Sequence, residues 1–241
     1  MRKKGIKNKV YSAEFKIGVI MDMREHHLSY HETVRKYELG NDKPGGARQM
    51  LQRWERIYLE EGTVGKVADN LLKRDFYAEK PFEKITTDVT QFNVCDEKVY
   101  LSPVLDLFNN EIISYSISTS PNLWQIREML DGLFAKLPAD ATPIFHSDQG
   151  WQYQHAEYQR LLAEHNITQS MSRKGNCMDN GIMESFFGRL KVEMYYGEKF
   201  ESPRGFIEKL EEYIYYYNNE RISLKLKGMS PVQYRAHSHA I

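Results

Sequence analysis

The chain has 241 residues, 41% of them hydrophobic, 27% charged and 12% aromatic, with 15 Gly and 8 Pro, which supplies a sizeable core and excludes a collagen, a coiled coil and a low-complexity chain. No apolar run approaches the roughly 18–20 residues of a membrane span, and the basic start MRKKGIKNKVYSAEF lacks the apolar stretch of a secretory signal. Formal net charge is zero but uneven: residues 1–60 carry 13 Lys/Arg against 8 Asp/Glu, residues 61–170 carry 9 against 16, and residues 171–241 carry 11 against 9.

A basic head before an acidic middle suggests a DNA-binding element followed by a carboxylate-bearing domain. The two cysteines, Cys95 and Cys177, form neither a metal-spaced pair nor a disulfide framework, which favours a reducing cytosol.

Residues 12–26 read as a helix, with Ser12 as N-cap and Phe15, Val19, Ile20 and Met23 at helical spacing. Ser29 and Glu32 form a capping-box pattern for a second helix reaching about Leu39. GNDKPGG is a loop by composition. Residues 47–61 give a third helix, with Met50, Leu51, Trp54 and Tyr58 on one side and Arg48, Arg53 and Arg56 elsewhere. Three short helices with basic residues on the third fit either a helix-turn-helix or a plain three-helix bundle, and the seven-residue loop is longer than the usual tight turn.

Residues 62–80 lack a sustained period and read as a linker with one helical turn. From 85 onward ITTDVTQFNV, VYLSPVLDLF and EIISYSIS predict three antiparallel strands separated by turns. A helix is expected over 122–136, a strand over 143–148, a helix over 154–165, a strand over 167–172, and helices over 179–196 and 202–220. The order βββ-α-β-α-β-α is the ribonuclease-H-like arrangement of a mixed α/β sheet. The boundaries are then a helical head over 1–62, a linker over 63–82, a catalytic core over 83–200 and a C-terminal helical extension over 201–241.

Three acids stand out by position: Asp88 in the first strand, Asp148 ending the fourth, and Glu184 in the helix after the last. An apolar strand hosts a carboxylate at a cost unless the charge is met. A nearby Arg or Lys would meet it; so would a divalent cation. Three oxygen donors suit Mg2+ or Mn2+, and two such ions could serve an in-line phosphoryl displacement. On a helical wheel, Asn180, Glu184, Gly188 and Lys191 share one direction beside a core face of Met183, Phe187, Leu190 and Met194.

From about residue 70 to 237 the sequence resembles the catalytic protein of insertion-sequence transposases of the IS-three type, relatives of retroviral integrases. The resemblance lies in TDVTQFNV, YLSPVLDLFNNEII, HSDQGWQYQ, SMSRKGNCMDNGIMESFFGRLK, YYNNERI and LKGMSPVQYR, in the family's order. It implies a DDE triad at Asp88, Asp148 and Glu184, with 35 residues between the last two, and a basic residue at Lys191. Residues 11–61 resemble the small helix-turn-helix protein of the same elements, with a shorter connection than the family's usual one. The resemblance implies DNA transposition: cleavage of element ends, then joining of a 3′-hydroxyl to target DNA, by a homo-oligomer on DNA in the bacterial cytoplasm, nucleoid-associated when bound. A shortened derivative acting as a DNA-binding regulator without strand transfer is the alternative.

Arg173 and Lys174, in a basic loop before the Glu184 helix, are candidate DNA contacts beside Lys191, Arg48, Arg53 and Arg56. Asp106 reads as a second carboxylate near Asp88, with a structural role ahead of a metal role. His146 either packs or orients Asp148. Asn176, Asp179 and Asn180 read first as caps of the Glu184 helix.

Overall fold

A computed structural model of the chain describes residues 11–40, 46–61, 67–120, 123–173 and 175–238. It divides into two units, Met1–Val64 and Gly65–Ile241. The first contains helices α1 (Ala13–Glu25), α2 (Tyr30–Lys36) and α3 (Gly46–Glu61). Ser12 caps α1 by accepting from the Phe15 N–H, and Ser29 with Glu32 closes a full capping box on α2. Val19, Ile20 and Met23 from α1 meet Leu51, Trp54 and Tyr58 from α3 in its interior. Glu55 is buried there too, held by Arg24 and by the hydroxyl of Tyr30.

The second unit carries a six-stranded sheet of β1 (Lys84–Thr87), β2 (Thr90–Val94), β3 (Glu97–Asp106), β4 (Ile112–Ser118), β5 (Ile144–Ser147) and β6 (Thr168–Met171). β1 and β2 pair with the same edge of β3 in one continuous antiparallel register, Thr87 opposite Val104 and Thr90 opposite Leu101. They are thus a single interrupted strand. The register carried through the break would set Asp88 opposite Pro103, which has no N–H for a ladder. β4 takes the other edge of β3, while β5 and β6 run parallel to β1. The βββαβαβα order expected from the sequence is present.

The helices are α4 (Leu123–Phe134), α5 (Ala156–Glu164), α6 (Gly181–Leu190), α7 (Pro203–Asn219) and α8 (Pro231–Ser238). Strand alternation feeds two cores. Val99, Leu101 and Leu105 face Phe186, Leu190, Phe206 and Leu210 of α6 and α7. Ile85, Val104 and Phe145 face Met129, Leu133, Tyr158 and Leu162 of α4 and α5. No helix among the described residues is long and apolar enough to cross a membrane.

Three stretches differ from expectation. Within the stretch read as a linker, residues 67–82 are tied to the sheet unit: Leu72 and Ala78 are buried, Met171 N–H donates to the Asp69 carbonyl, and Leu71 N–H donates to Ser170 Oγ. The helix expected over 179–196 is a 3-10 turn (Cys177–Asn180), then α6, then a π turn (Lys191–Tyr195). The C-terminal stretch also belongs to the sheet unit. α7 completes one core, and α8 sends Arg235 to Asp106, which is fully buried.

Arg235 Nη2 donates to Asp106 Oδ2 at 2.8 Å, its guanidinium lies 4.8 Å from the Phe82 ring centre, and Glu111 stands 2.7 Å from Nε. The amides of Phe82 and Phe108 complete the shell of Asp106. Removing one partner of a buried pair leaves an uncompensated charge. Arg235→Met is expected to cost about 3–5 kcal/mol in urea denaturation, and Asp106→Asn in the same chain to recover part of it. A single variant within about 1 kcal/mol of wild type would contradict this role.

Candidate active site

β1 and β5 are adjacent parallel strands with Thr86 paired to His146. Asp88 and Asp148 each lie two residues further on, so both leave the carboxyl ends of their strands at the same level. Strands about 4.8 Å apart bring those two side chains to one edge. Locally each carboxylate takes one amide: Asp88 Oδ1 accepts from Val89 N–H at 2.7 Å, and Asp148 Oδ1 from Gly150 N–H at 2.8 Å. A Cβ at Gly150 would stand 2.9 Å from Asp148 Oδ1 and 2.6 Å from Gln152 Nε2, so a side chain there would displace the ends of those side chains.

Glu184 comes from the first turn of α6 and is exposed. The start of that helix is tied to β1 through buried Asn180, whose Oδ1 accepts from Thr86 Oγ1 at 2.8 Å and whose Nδ2 donates to the Thr87 carbonyl at 3.2 Å. Asn180 was expected as a cap, but its side chain makes no cap bond and spends both polar atoms on the strand. Asp88, Asp148 and Glu184 line one cleft of about 810 Å³, together with Gln149, Gln154, Asn176 and Arg173.

Among the described residues no ion pair reaches any of the three acids. Burial, then the charge of Asp148, and more weakly that of Glu184, push Asp88 from 3.8 to about 7. Burial also raises Asp148. The close electrostatic pair is Asp88 with Asp148, and Glu184 is the outer member. Among the described residues, no three His, Cys, Asp or Glu side chains form a ready cage for a metal ion.

The other candidates separate clearly. Asp179 is buried and grips Arg173 through Nε and Nη2, each at 2.9 Å, and Arg74 through Nε at 2.9 Å. These guanidiniums, Arg173 foremost, outweigh burial and hold its carboxyl well below the usual range. Arg173 therefore lines the cleft while committed to Asp179, and Asn176 accepts from Arg74 rather than capping. Lys174 lies outside the described residues. Lys191 is not part of the cleft wall; its ammonium stands 5.7 Å from the Phe92 ring centre. His146 is packed, between the Ser170 and Ser172 hydroxyls at 2.8 and 3.1 Å, and burial lowers its pKa. Asp106 is held by Arg235, away from the cleft. Arg48, Arg53 and Arg56 are exposed on α3 of the first unit.

Tyr153 was missed by sequence reasoning. It is fully buried, and burial with the charges of Asp88 and Asp148 raises its phenol above the ordinary range. The signal was an aromatic five residues after Asp148 inside HSDQGWQYQ.

Comparison with known proteins gives two matches to family models described as integrase core domain, over residues 78–177 and 184–238. An uncharacterized transposase-like protein of Haemophilus influenzae is 58% identical over 178 residues, covering 74% of this chain and 82% of that protein. The putative transposase InsK for insertion sequence element IS150 of Escherichia coli is 55% identical over 174 residues, or 72% of this chain; the chain spans 62% of InsK. A chain of the simian T-cell lymphotropic virus intasome in complex with PP2A regulatory subunit B56 gamma superposes with a TM-score of 0.56 at 13% identity, covering 90% of this chain and 74% of that one. The last likeness is one of fold.

Asp88 binds its proton in the folded chain up to about pH 7, whereas the unfolded chain releases it near the ordinary 3.8. Its contribution to stability therefore falls as pH rises through that window and levels off above it. At about pH 8 without metal, Asp88→Asn is expected to stabilise the chain by about 2–4 kcal/mol, a gain that vanishes towards pH 4. Paired urea titrations measure it. An equal difference at both pH values would refute the coupling.

Proposed function

The chain belongs to the integrase-core transposases of insertion sequences, and from that membership we propose that it cleaves the ends of a mobile DNA element and joins the exposed 3′-hydroxyl to a target phosphodiester. The observation that carries the reading is the acid pair: two carboxylates at one level on neighbouring parallel strands, ion-paired to no described residue, facing a cleft whose rim bears a third. Structural carboxylates in this fold receive an arginine, as Asp106 and Asp179 do. Among the described residues Asp88 and Asp148 do not, and the repulsion between them is a demand for positive charge.

That donor set fits a hard divalent cation, since it is all oxygen, anionic and open to a cleft. Asp88, Asp148 and Glu184 would hold Mg2+ or Mn2+, as two ions. Such ions supply the charge that activates an attacking oxygen and stabilises a leaving one. In the joining step the 3′-hydroxyl oxygen bonds to phosphorus as the target strand's own P–O bond breaks, so one phosphodiester replaces another and no nucleotide is consumed.

The chain's residues supply the frame. Asn180 fixes the start of α6 against β1 and so carries Glu184 to the rim. Arg173 is half out in solvent at 60% side-chain exposure and offers its guanidinium to a phosphate from its pair with Asp179. Lys191 and Lys174 are further contacts in the core. In the first unit Arg48, Arg53 and Arg56 contact DNA, and the chain works as a homo-oligomer on element ends and target, in the cytoplasm and on the nucleoid.

Asp148→Asn and Glu184→Gln are expected to lower strand transfer on terminal-repeat DNA by roughly a thousandfold or more while duplex binding persists. Mn2+ should raise the melting temperature of the wild-type chain and leave that of an Asp88→Asn/Asp148→Asn variant unchanged. Joining at near wild-type rates in either single variant would remove the metal-holding role. Hydrolysis without joined product in the wild-type chain would make it a nuclease, and duplex binding without cleavage a regulator.

A further inference from the structure

A second pocket, of about 90 Å³, opens among the α6 face, the end of α7, the 223–226 loop and the turn between β3 and β4. It is far below the roughly 300 Å³ at which small-molecule sites begin, so it suits one small charged group. Its cations are Arg189, Arg221 and Lys225, and no carboxylate lines it.

Arg221 is already oriented. Glu193, itself held by the Tyr213 hydroxyl at 2.8 Å, takes Nε at 2.9 Å and Nη2 at 2.6 Å, which leaves Nη1 uncommitted. Among the described residues neither Arg189 nor Lys225 makes an ion pair at contact distance, though Glu193 stands near enough to Arg189 to feel its charge. The hydroxyls of Ser185 and Ser223 and the side-chain amide of Asn110 also line the pocket, and among the described residues none of them makes a hydrogen bond. Forked donors, a flexible ammonium and neutral donors line the cavity, and the single nearby acid, Glu193, stands behind the two arginines and outside the lining; three cations against one acid make an oxyanion receptor.

We propose that this pocket takes a phosphate of the DNA backbone, away from the reacting phosphate. The inference rests on the transposase reading for its choice of oxyanion. Arg189 lies five residues after Glu184, which turns it about 140° round α6. One helix thus shows a carboxylate to the cleft and a guanidinium to a separate anion pocket. A phosphate held on the far side of that helix fixes the register of the duplex without reading its sequence.

The test uses the full chain with Arg189→Ala/Lys225→Ala; Arg221 is left in place because it holds Glu193. Duplex affinity is measured by fluorescence anisotropy across a salt series. The slope of log affinity against log salt is expected to flatten by about 1–2, with affinity falling roughly tenfold on every duplex sequence, at an unchanged melting temperature. Arg189→Lys/Lys225→Arg should restore the slope.

An unchanged slope in the alanine variant overturns the proposal. If Glu184→Gln stops joining while the alanine variant keeps its slope, the transposase reading stands and this inference alone falls. If the slope flattens while Glu184→Gln still joins DNA, the pocket stands and the active-site reading falls. A changed sedimentation of the DNA-free alanine variant with an unchanged slope would give the pocket to a carboxylate of a second copy.

Discussion

Two like charges held at the buried edge of a sheet, with no ion pair to either among the described residues, are the tension around which the sheet unit is organised. The parallel pairing of β1 and β5 creates it, because equal register sends Asp88 and Asp148 off their strands at the same level. Burial and proximity together raise Asp88 to about 7, which means the pair costs folding free energy at neutral pH. A fold does not retain such a cost at random. Each acid takes one backbone amide, enough to orient it and too little to neutralise it.

The rest of the same unit shows how buried aspartates are treated when their role is structural. Asp106 has Arg235 and two amides; Asp179 has Arg173, Arg74 and Asn70. One clamp locks α8 to β3, away from the cleft, and the other locks the stretch before β1 to the loop before α6, at the cleft wall.

Much of this was legible in the sequence. The strand and helix order follows from runs such as VYLSPVLDLF and from periodic apolar spacing in 202–220, and the three acids that line the cleft stand in stretches singled out by motif order. What escaped depends on long-range partners. Asn180 reads as a cap because caps are local, yet its bonds go to Thr86 and Thr87, 94 and 93 residues away. Arg173 reads as a free basic loop residue because its neighbour in space, Asp179, only closes on it when the 3-10 turn forms. The break at Asp88 hides inside an unbroken β-like run, since it is a property of the pairing with β3 and not of ITTDVTQFNV alone. Residues 67–82 have no period because they are held by single contacts to Ser170, Asp179 and the core, not by a repeating face.

The position of Glu184 follows from matched lengths. Asn180 bonds to the Thr87 carbonyl at one end of α6, and at the end of the π turn Tyr195 donates to the Asn93 carbonyl at 2.8 Å. At an α-helical rise the fifteen steps from Asn180 to Tyr195 would cover about 22 Å, and the six steps of strand from Thr87 to Asn93 span about 20 Å. Helix and interrupted strand are therefore pinned along the same distance, with Lys191 over Phe92 near the far pin. Glu184 lies about 6 Å along the helix from Asn180, beside the interruption that holds Asp88. The third carboxylate thus owes its place to two anchors on the strand that carries the first, and the gap in that strand is where the helix needs it to be.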